Sequence, residues 1–332
     1  MVDPHGATQA GVARPAVPQR HCDVSVWDLP ASADPIQLLA RLSPVISALA
    51  SGAAPALAGL PTAELTVTVG LGPRLVGEHT GFRELAEFPV FPGDQVDPDR
   101  LGGDLLLQLC ANDPLTLTTA AAEVARTIEA TPKWRQTGFR GPATDSGAAR
   151  NVLGFVDGIV NPRTDADLAR EVWLDGDQAV RAGCVAVVRR MRLDVAGFLA
   201  QPVAEQERIF GRRRATAEPL SGGGPQADVD LGAKTPDGQY LIPAGAHVRR
   251  AHALTVGAGL MLRRSYNYDN GLDDRGVLFI SFQRELRTFV ATAHRMAEGD
   301  DLLRFATTTA SAAFLILPGF TEDAPLGASL AR

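Results

Sequence analysis

Apolar and polar residues alternate over positions 22–27, which predicts a strand. After Asp34 and Pro35, an N-cap and a first helical residue, apolar side chains recur at Ile36, Leu38, Leu39, Leu42, Val45 and Ile46, the spacing of one helix face. A β-branched, threonine-rich run at 65–69 and an apolar run at 104–110 predict two more strands, and Asp113-Pro114 opens a helix reaching about residue 130. The first half therefore reads β-α-β-β-α, with its closing strand unassigned. A similar order recurs beyond about residue 180: strand 184–189, a helix from Asp194, a long irregular stretch, strand 276–283, helix 288–309 and strand 312–317. Two such split β-α-β-β-α-β units predict an α+β protein with antiparallel sheet and helices on one face.

Residues 1–20 are rich in Pro, Gly and Ala, show no period, and read as an extended arm before two halves at 21–150 and 151–332. The stretch 216–246, with Ser221-Gly222-Gly223-Gly224-Pro225, is too long for an ordinary connection, which predicts a place near a binding site.

Composition narrows the function. With 332 residues, 45% hydrophobic and 21% charged, the chain can bury a large core without staples. A net charge of −6 with no long basic tract excludes the electrostatic footprint of a nucleic-acid binder and points to small-molecule partners. No run of eighteen uninterrupted apolar residues occurs, so no membrane span is expected. Positions 1–20 lack a charged segment followed by an apolar one, so the expected location is cytoplasmic, or exported with a signal removed. Cys22, Cys110 and Cys184 lie far apart and support neither a disulfide framework nor a CxxC metal site; buried thiols are expected.

Three segments carry candidate chemistry. In Gly154-Phe155-Val156-Asp157-Gly158 a lone carboxylate is framed by glycines, either a reactive acid or an Asp-Gly turn bonded to its own backbone. His247 and His252 are five residues apart, a poor spacing for two ligands on one helix face, so at most one binds a metal; each could equally be a surface or capping histidine. Arg263-Arg264 precedes Ser265-Tyr266-Asn267-Tyr268, a guanidinium pair that could also lie on a solvated face.

Taken in order, these pieces resemble the dye-decolourising peroxidase family, in its often-exported, deferrochelatase-like branch. The resemblance rests on Gln9-Ala10-Gly11-Val12, Phe91-Pro92-Gly93-Asp94, Gly102-Gly103-Asp104-Leu105 and Trp134 to Gly138 in the first half. It continues in Gly154 to Gly158 as a GxxDG motif, Val187-Val188-Arg189-Arg190, Glu205-Gln206-Glu207, His247-Val248-Arg249, Arg263-Arg264-Ser265-Tyr266, Phe282-Gln283-Arg284 and Leu317-Pro318-Gly319. It implies a duplicated ferredoxin-like fold that holds haem b mainly in the C-terminal half, with hydrogen peroxide and small organic reductants such as dyes or phenols as substrates.

By position it implies His247 as iron ligand, Asp157 as distal acid/base and Arg263 as distal guanidinium. It further implies Phe155, Gly158 and Ile159 as haem neighbours, Arg249 as a propionate partner and Glu285 as acceptor of the proximal imidazole proton. His252 is the alternative ligand. Where the family commonly has GFKDGTANP, Val156 and Ile159 replace a lysine and a threonine, so the backbone role of the motif survives but a side-chain hydrogen bond from position 159 is lost. The implied reaction is peroxide cleavage through an oxoferryl haem, with Tyr266, Tyr268, Trp134 and Trp173 as candidate electron relays or packing aromatics. Haem iron release and non-catalytic haem carriage are the alternative readings, and self-association into a homo-oligomer follows from the resemblance alone.

Overall fold

The computed structural model describes residues 1–80, 82–144 and 147–330. The strands are β1 His21–Trp27, β2 Thr66–Leu71, β3 Leu105–Ala111, β4 Pro132–Phe139, β5 Ala149–Arg150, β6 Val156–Asp157, β7 Cys184–Leu193, β8 Leu262–Arg263, β9 Tyr266–Asp269, β10 Arg275–Gln283 and β11 Ala306–Ile316. The first half pairs in the order β2-β3-β1-β4 and the second in the order β11-β7-β10-β9, so each repeats the ferredoxin-like order when its four long strands are counted along the chain. All these pairings are antiparallel.

Two seams join the halves. β2 meets β11 at Leu71↔Leu315, and β4 meets β9 at Phe139↔Asn267, so the eight strands β1–β4, β7 and β9–β11 close into a barrel. Strand periodicity then sorts the side chains. Val24, Val26, Leu106, Ala186, Val188, Leu278, Ile280 and Phe314 fill the barrel, while Val69, Leu105, Leu107, Leu109, Val185, Val187 and Leu315 join the core beneath the helices.

Local chemistry explains the helix starts. Asp34 Oδ1 accepts from the Ile36 and Gln37 amides at 2.9 and 3.1 Å, Pro35 occupies the first turn, and helix Pro35–Ser51 ends at Gly52 with φ 78°. Asp113 caps Pro114–Ile128 by accepting from Thr116 N at 2.8 Å. The span Pro35–Leu57 is long and apolar enough to cross a membrane, but Leu38, Leu39, Leu42, Ile46 and Leu49 of it are buried in the core against the sheet.

Several expectations are revised. Residues 1–20 are not a free arm. Gln9 is buried, donating to Val69 O at 2.8 Å and accepting from Val69 N at 2.7 Å, and Val12 packs into the barrel. The unassigned closing strand of the first half is β4, and the helix from Asp194 is only Val195–Leu199. The expected helix 288–309 is instead helix Leu286–Ala297, a break at Gly299 (φ 155°), a 3-10 turn Asp301–Phe305 and the first residues of β11. Alanine and threonine suit either state, and pairing with β7 along the whole of β11 decides for strand.

Candidate active site

Short elements of the second half build the site against the barrel. β5 and β6 form a hairpin that carries Asp157, and β8 and β9 lie end to end along β10, placing Arg263 beside that hairpin. Asn161, overlooked in the sequence, locks the two together: its Nδ2 donates to Arg263 O at 2.9 Å and its Oδ1 accepts from Arg263 N at 3.1 Å. Asn151 does similar work inside the loop, where its Oδ1 accepts from Leu153 N and Phe155 N, each at 3.1 Å. Gly158 sits at φ 85°, a conformation that disfavours a side chain, and its amide donates to Asp157 Oδ1 at 2.6 Å. Arg263 Nη2 reaches the same oxygen at 3.4 Å. A pocket of about 350 Å³ opens here, lined by Asp157, Gly158, Arg263, Arg140, Tyr266 and Val277 among others.

His247 starts the short helix His247–Arg250. Its Nδ1 lies 2.7 Å from Asp300 Oδ2; a carboxylate oxygen accepts there, so Nδ1 carries the proton and, in the neutral imidazole, Nε2 keeps its lone pair. Asp300 is fixed in turn, because its Oδ1 accepts from Leu302 N at 2.9 Å. Phe210 meets the imidazole edge-on at 5.9 Å, and Phe155 stacks on Phe210 at 3.9 Å.

Electrostatics tie the two sides of the site. Burial pushes the Asp157 carboxyl up, but Arg263, the Gly158 amide, His247 and Arg140 outweigh it and hold the group below the usual carboxylate range. Burial pushes His247 down, but the Asp300 carboxylate outweighs it and raises the imidazole. Asp157 and Arg263 both act on His247, so the three groups address one space.

Residues 9–140 match the family described as Dyp-type peroxidase, N-terminal, and residues 148–321 match Dyp-type peroxidase, C-terminal. The chain belongs to the Dyp-type peroxidase family. It is 36% identical to the dye-decolorizing peroxidase of Thermobifida fusca over 85% of this chain and 70% of that protein. It is 32% identical to a deferrochelatase of Shigella sonnei over 81% of this chain and 69% of that protein. The solved structure of ferric DtpA from Streptomyces lividans superposes with a TM-score of 0.91 at 30% identity, covering 99% of this chain and 96% of that one. This Dyp-type enzyme is a haem peroxidase that acts on hydrogen peroxide and a reductant.

The donor set fits haem. His247 and Asp157 are strongly desolvated, yet their side chains keep 29% and 40% of their surface accessible, so both face an internal recess rather than bulk solvent. One wall offers an imidazole whose free nitrogen can ligate iron. Another offers a carboxylate and a guanidinium.

One residue assignment changes, and the surroundings of the others are now defined. Glu285 does not reach the proximal imidazole: it precedes helix Leu286–Ala297, its side chain is half exposed, and its ion pair is with Arg287; Asp300 holds Nδ1 instead. Arg249 donates through Nε and Nη2 to the Ile242 and Leu231 carbonyls at 2.7–2.9 Å, and its guanidinium stacks on Tyr240. These bonds pin the 216–246 stretch. His252 Nε2 pairs with Asp228 at 3.2 Å while Nδ1 accepts from Leu254 N, so both its nitrogens are engaged away from the site. Phe155 is buried beneath the recess against Phe198 and Phe210, Ile159 packs on Ala148 and Ala217, and Gly158 alone of the three lines the pocket. Trp134, Tyr266 and Tyr268 are buried and Trp173 packs against the barrel core, with Tyr266 lining the pocket.

A carboxylate on a metal-bound imidazole fixes its orientation and raises its basicity. Asp300→Asn is therefore expected to lower haem affinity by about 10- to 100-fold with the fold retained, read by haem titration and far-UV circular dichroism. Unchanged affinity would remove Asp300 from the site.

Proposed function

We propose that His247 would ligate the iron of haem b and that Asp157 and Arg263, in the same recess, carry out peroxide cleavage. The shared Asp157–Arg263 contact, in one electrostatic environment with His247, carries this reading. Haem supplies the redox chemistry when bound. Asp157 takes the proton from one peroxide oxygen and returns it to the other, so that water is the leaving group. Arg263, always protonated, stabilises the negative charge that grows on the departing oxygen. Asn161 and the Gly158 amide hold the pair in register, and Phe155, Phe198 and Phe210 support the imidazole wall.

The pH dependence tests this. The net shift of Asp157 is downward, so its carboxylate stays ionised to below the usual value of about 3.9 and the acid limb of activity falls below that pH. Anionic dyes meet less repulsion from the net −6 chain as surface carboxylates protonate. The optimum for dye oxidation is expected at about pH 4–5.5. A profile taken with haem retention checked at every point decides it, and a neutral optimum that survives loss of Asp157 would overturn the assignment.

The deferrochelatase relative favours a second reading, release of iron from haem. Free protoporphyrin after incubation with haem, without peroxide, would establish it.

A further inference from the structure

Cys22 and Cys110 are 88 residues apart in the chain, and β1 and β3 place them directly opposite each other in register. Opposed residues of an antiparallel pair lie about 4.5–5.5 Å apart at Cα and share one face, within the roughly 4.4–6.8 Å that a disulfide spans. Both point into the barrel and are 0% and 1% exposed. Gln108 Nε2 donates to Cys110 Sγ at 3.5 Å. The Tyr266 hydroxyl, fully buried and without a hydrogen-bond partner among the described residues, belongs to the same barrel cluster as both thiols, and Tyr266 also lines the pocket beside Asp157 and Arg263.

Arg264 completes the cluster. It is 2% exposed, its guanidinium bonds only to the Pro15 and Arg14 carbonyls and the Gln19 amide, and among the described residues no carboxylate pairs with it. Tyr266, Cys110 and Cys22 are the acidic groups around it. Burial pushes the Cys22 thiol up, whereas Gln108, Tyr266 and Arg264 around Cys110 favour its thiolate and shift that thiol down against burial. Cys110 is thus the more readily oxidised partner, with Cys22 opposite it as the resolving thiol.

We propose that Cys22 and Cys110 form an internal two-electron reductant, coupled through Tyr266 to the peroxide site and closing to a disulfide when no external reductant is present. This rests on haem occupying the site. The Cys110 sulfur loses one electron by way of the Tyr266 phenol, bonds to the Cys22 sulfur as the Cys22 proton leaves, and the resulting disulfide radical anion loses the second electron along the same route. The dithiol gives up two electrons and two protons, hydrogen peroxide takes both, and the sum is one disulfide and two waters. Cys184 lies elsewhere in the barrel interior and serves as an internal control.

The test starts from fully reduced, haem-loaded protein given one molar equivalent of hydrogen peroxide, quenched in acid, unfolded, alkylated and weighed by mass spectrometry. The expected result is loss of two of the three alkylatable thiols, with a Cys22–Cys110 cross-linked peptide on digestion and Cys184 still modified. Excess dye should suppress the cross-link by competing for the oxidising equivalents. Haem-free protein should keep all three thiols, because solvent peroxide cannot reach them, and Tyr266→Phe should fall toward that level. If Tyr266→Phe does not load haem, the loaded and haem-free wild-type samples still decide. Three intact thiols beside a normal Soret band and active dye oxidation would overturn the inference while leaving the peroxidase reading in place. Equal cross-linking without haem would overturn the route through Tyr266.

Discussion

Replacing His247 with alanine is expected to abolish the Soret band of the reconstituted protein, whereas His252→Ala should leave it unchanged. The structure separates the two residues sharply. His247 keeps one ring nitrogen uncommitted and the other fixed by Asp300 at 2.7 Å, while His252 uses both nitrogens, on Asp228 and on the amide of Leu254. An imidazole held in one tautomer and orientation is prepared to ligate; one that caps a turn is not. Haem titration of both variants, with circular dichroism as a control for folding, reads the outcome. A normal band in His247→Ala, or its loss in His252→Ala, would move the ligand.

The second large effect concerns the opposite wall. Haem-replete Asp157→Ala should slow the spectral change on peroxide addition by about 10²–10⁴, the usual worth of a positioned acid/base, and Arg263→Ala by about 10²–10³. The two losses should not multiply in the double variant, because the side chains touch at 3.4 Å and each sets the state of the other. The sign of that coupling is specific. Arg263 is the strongest influence holding the Asp157 carboxyl down, so its removal lets burial raise the group, and Arg263→Ala should lose activity at a higher pH than wild type as the solution is acidified. Stopped-flow rates across pH test this, and wild-type rates in both single variants would remove both residues from the chemistry.

Much of this arrangement was legible in the sequence where the signal is local. The caps at Asp34 and Asp113 and the strand runs survive because each depends on residues close in the chain. Asp300 did not, because it lies 53 residues from His247 and fell within an alanine- and threonine-rich run that also suits a helix. A signal was present: Gly299 breaks the pattern, and Asp300 behind it is a capping residue, which it proves to be for Leu302. The N-terminal residues misled for the opposite reason. They have no period, yet Gln9 satisfies backbone groups of β2 that would otherwise be buried unpaired, a tertiary role no local pattern reports.

The two seams of the barrel bear on how such a chain could have arisen and whether it can be divided. Residues 148–330 hold Asp157, Arg263, His247 and Asp300, yet cut free they would bare the edges of β11 and β9, now covered by β2 and β4. Bare edges recruit other edges. In strand order the second of one half always meets the fourth of the other, so a lone half would find its complement in another copy of itself. An ancestral pair of identical halves, fused end to end, would keep this pairing and make closure unimolecular, freeing assembly of the oxidising site from any dependence on protein concentration.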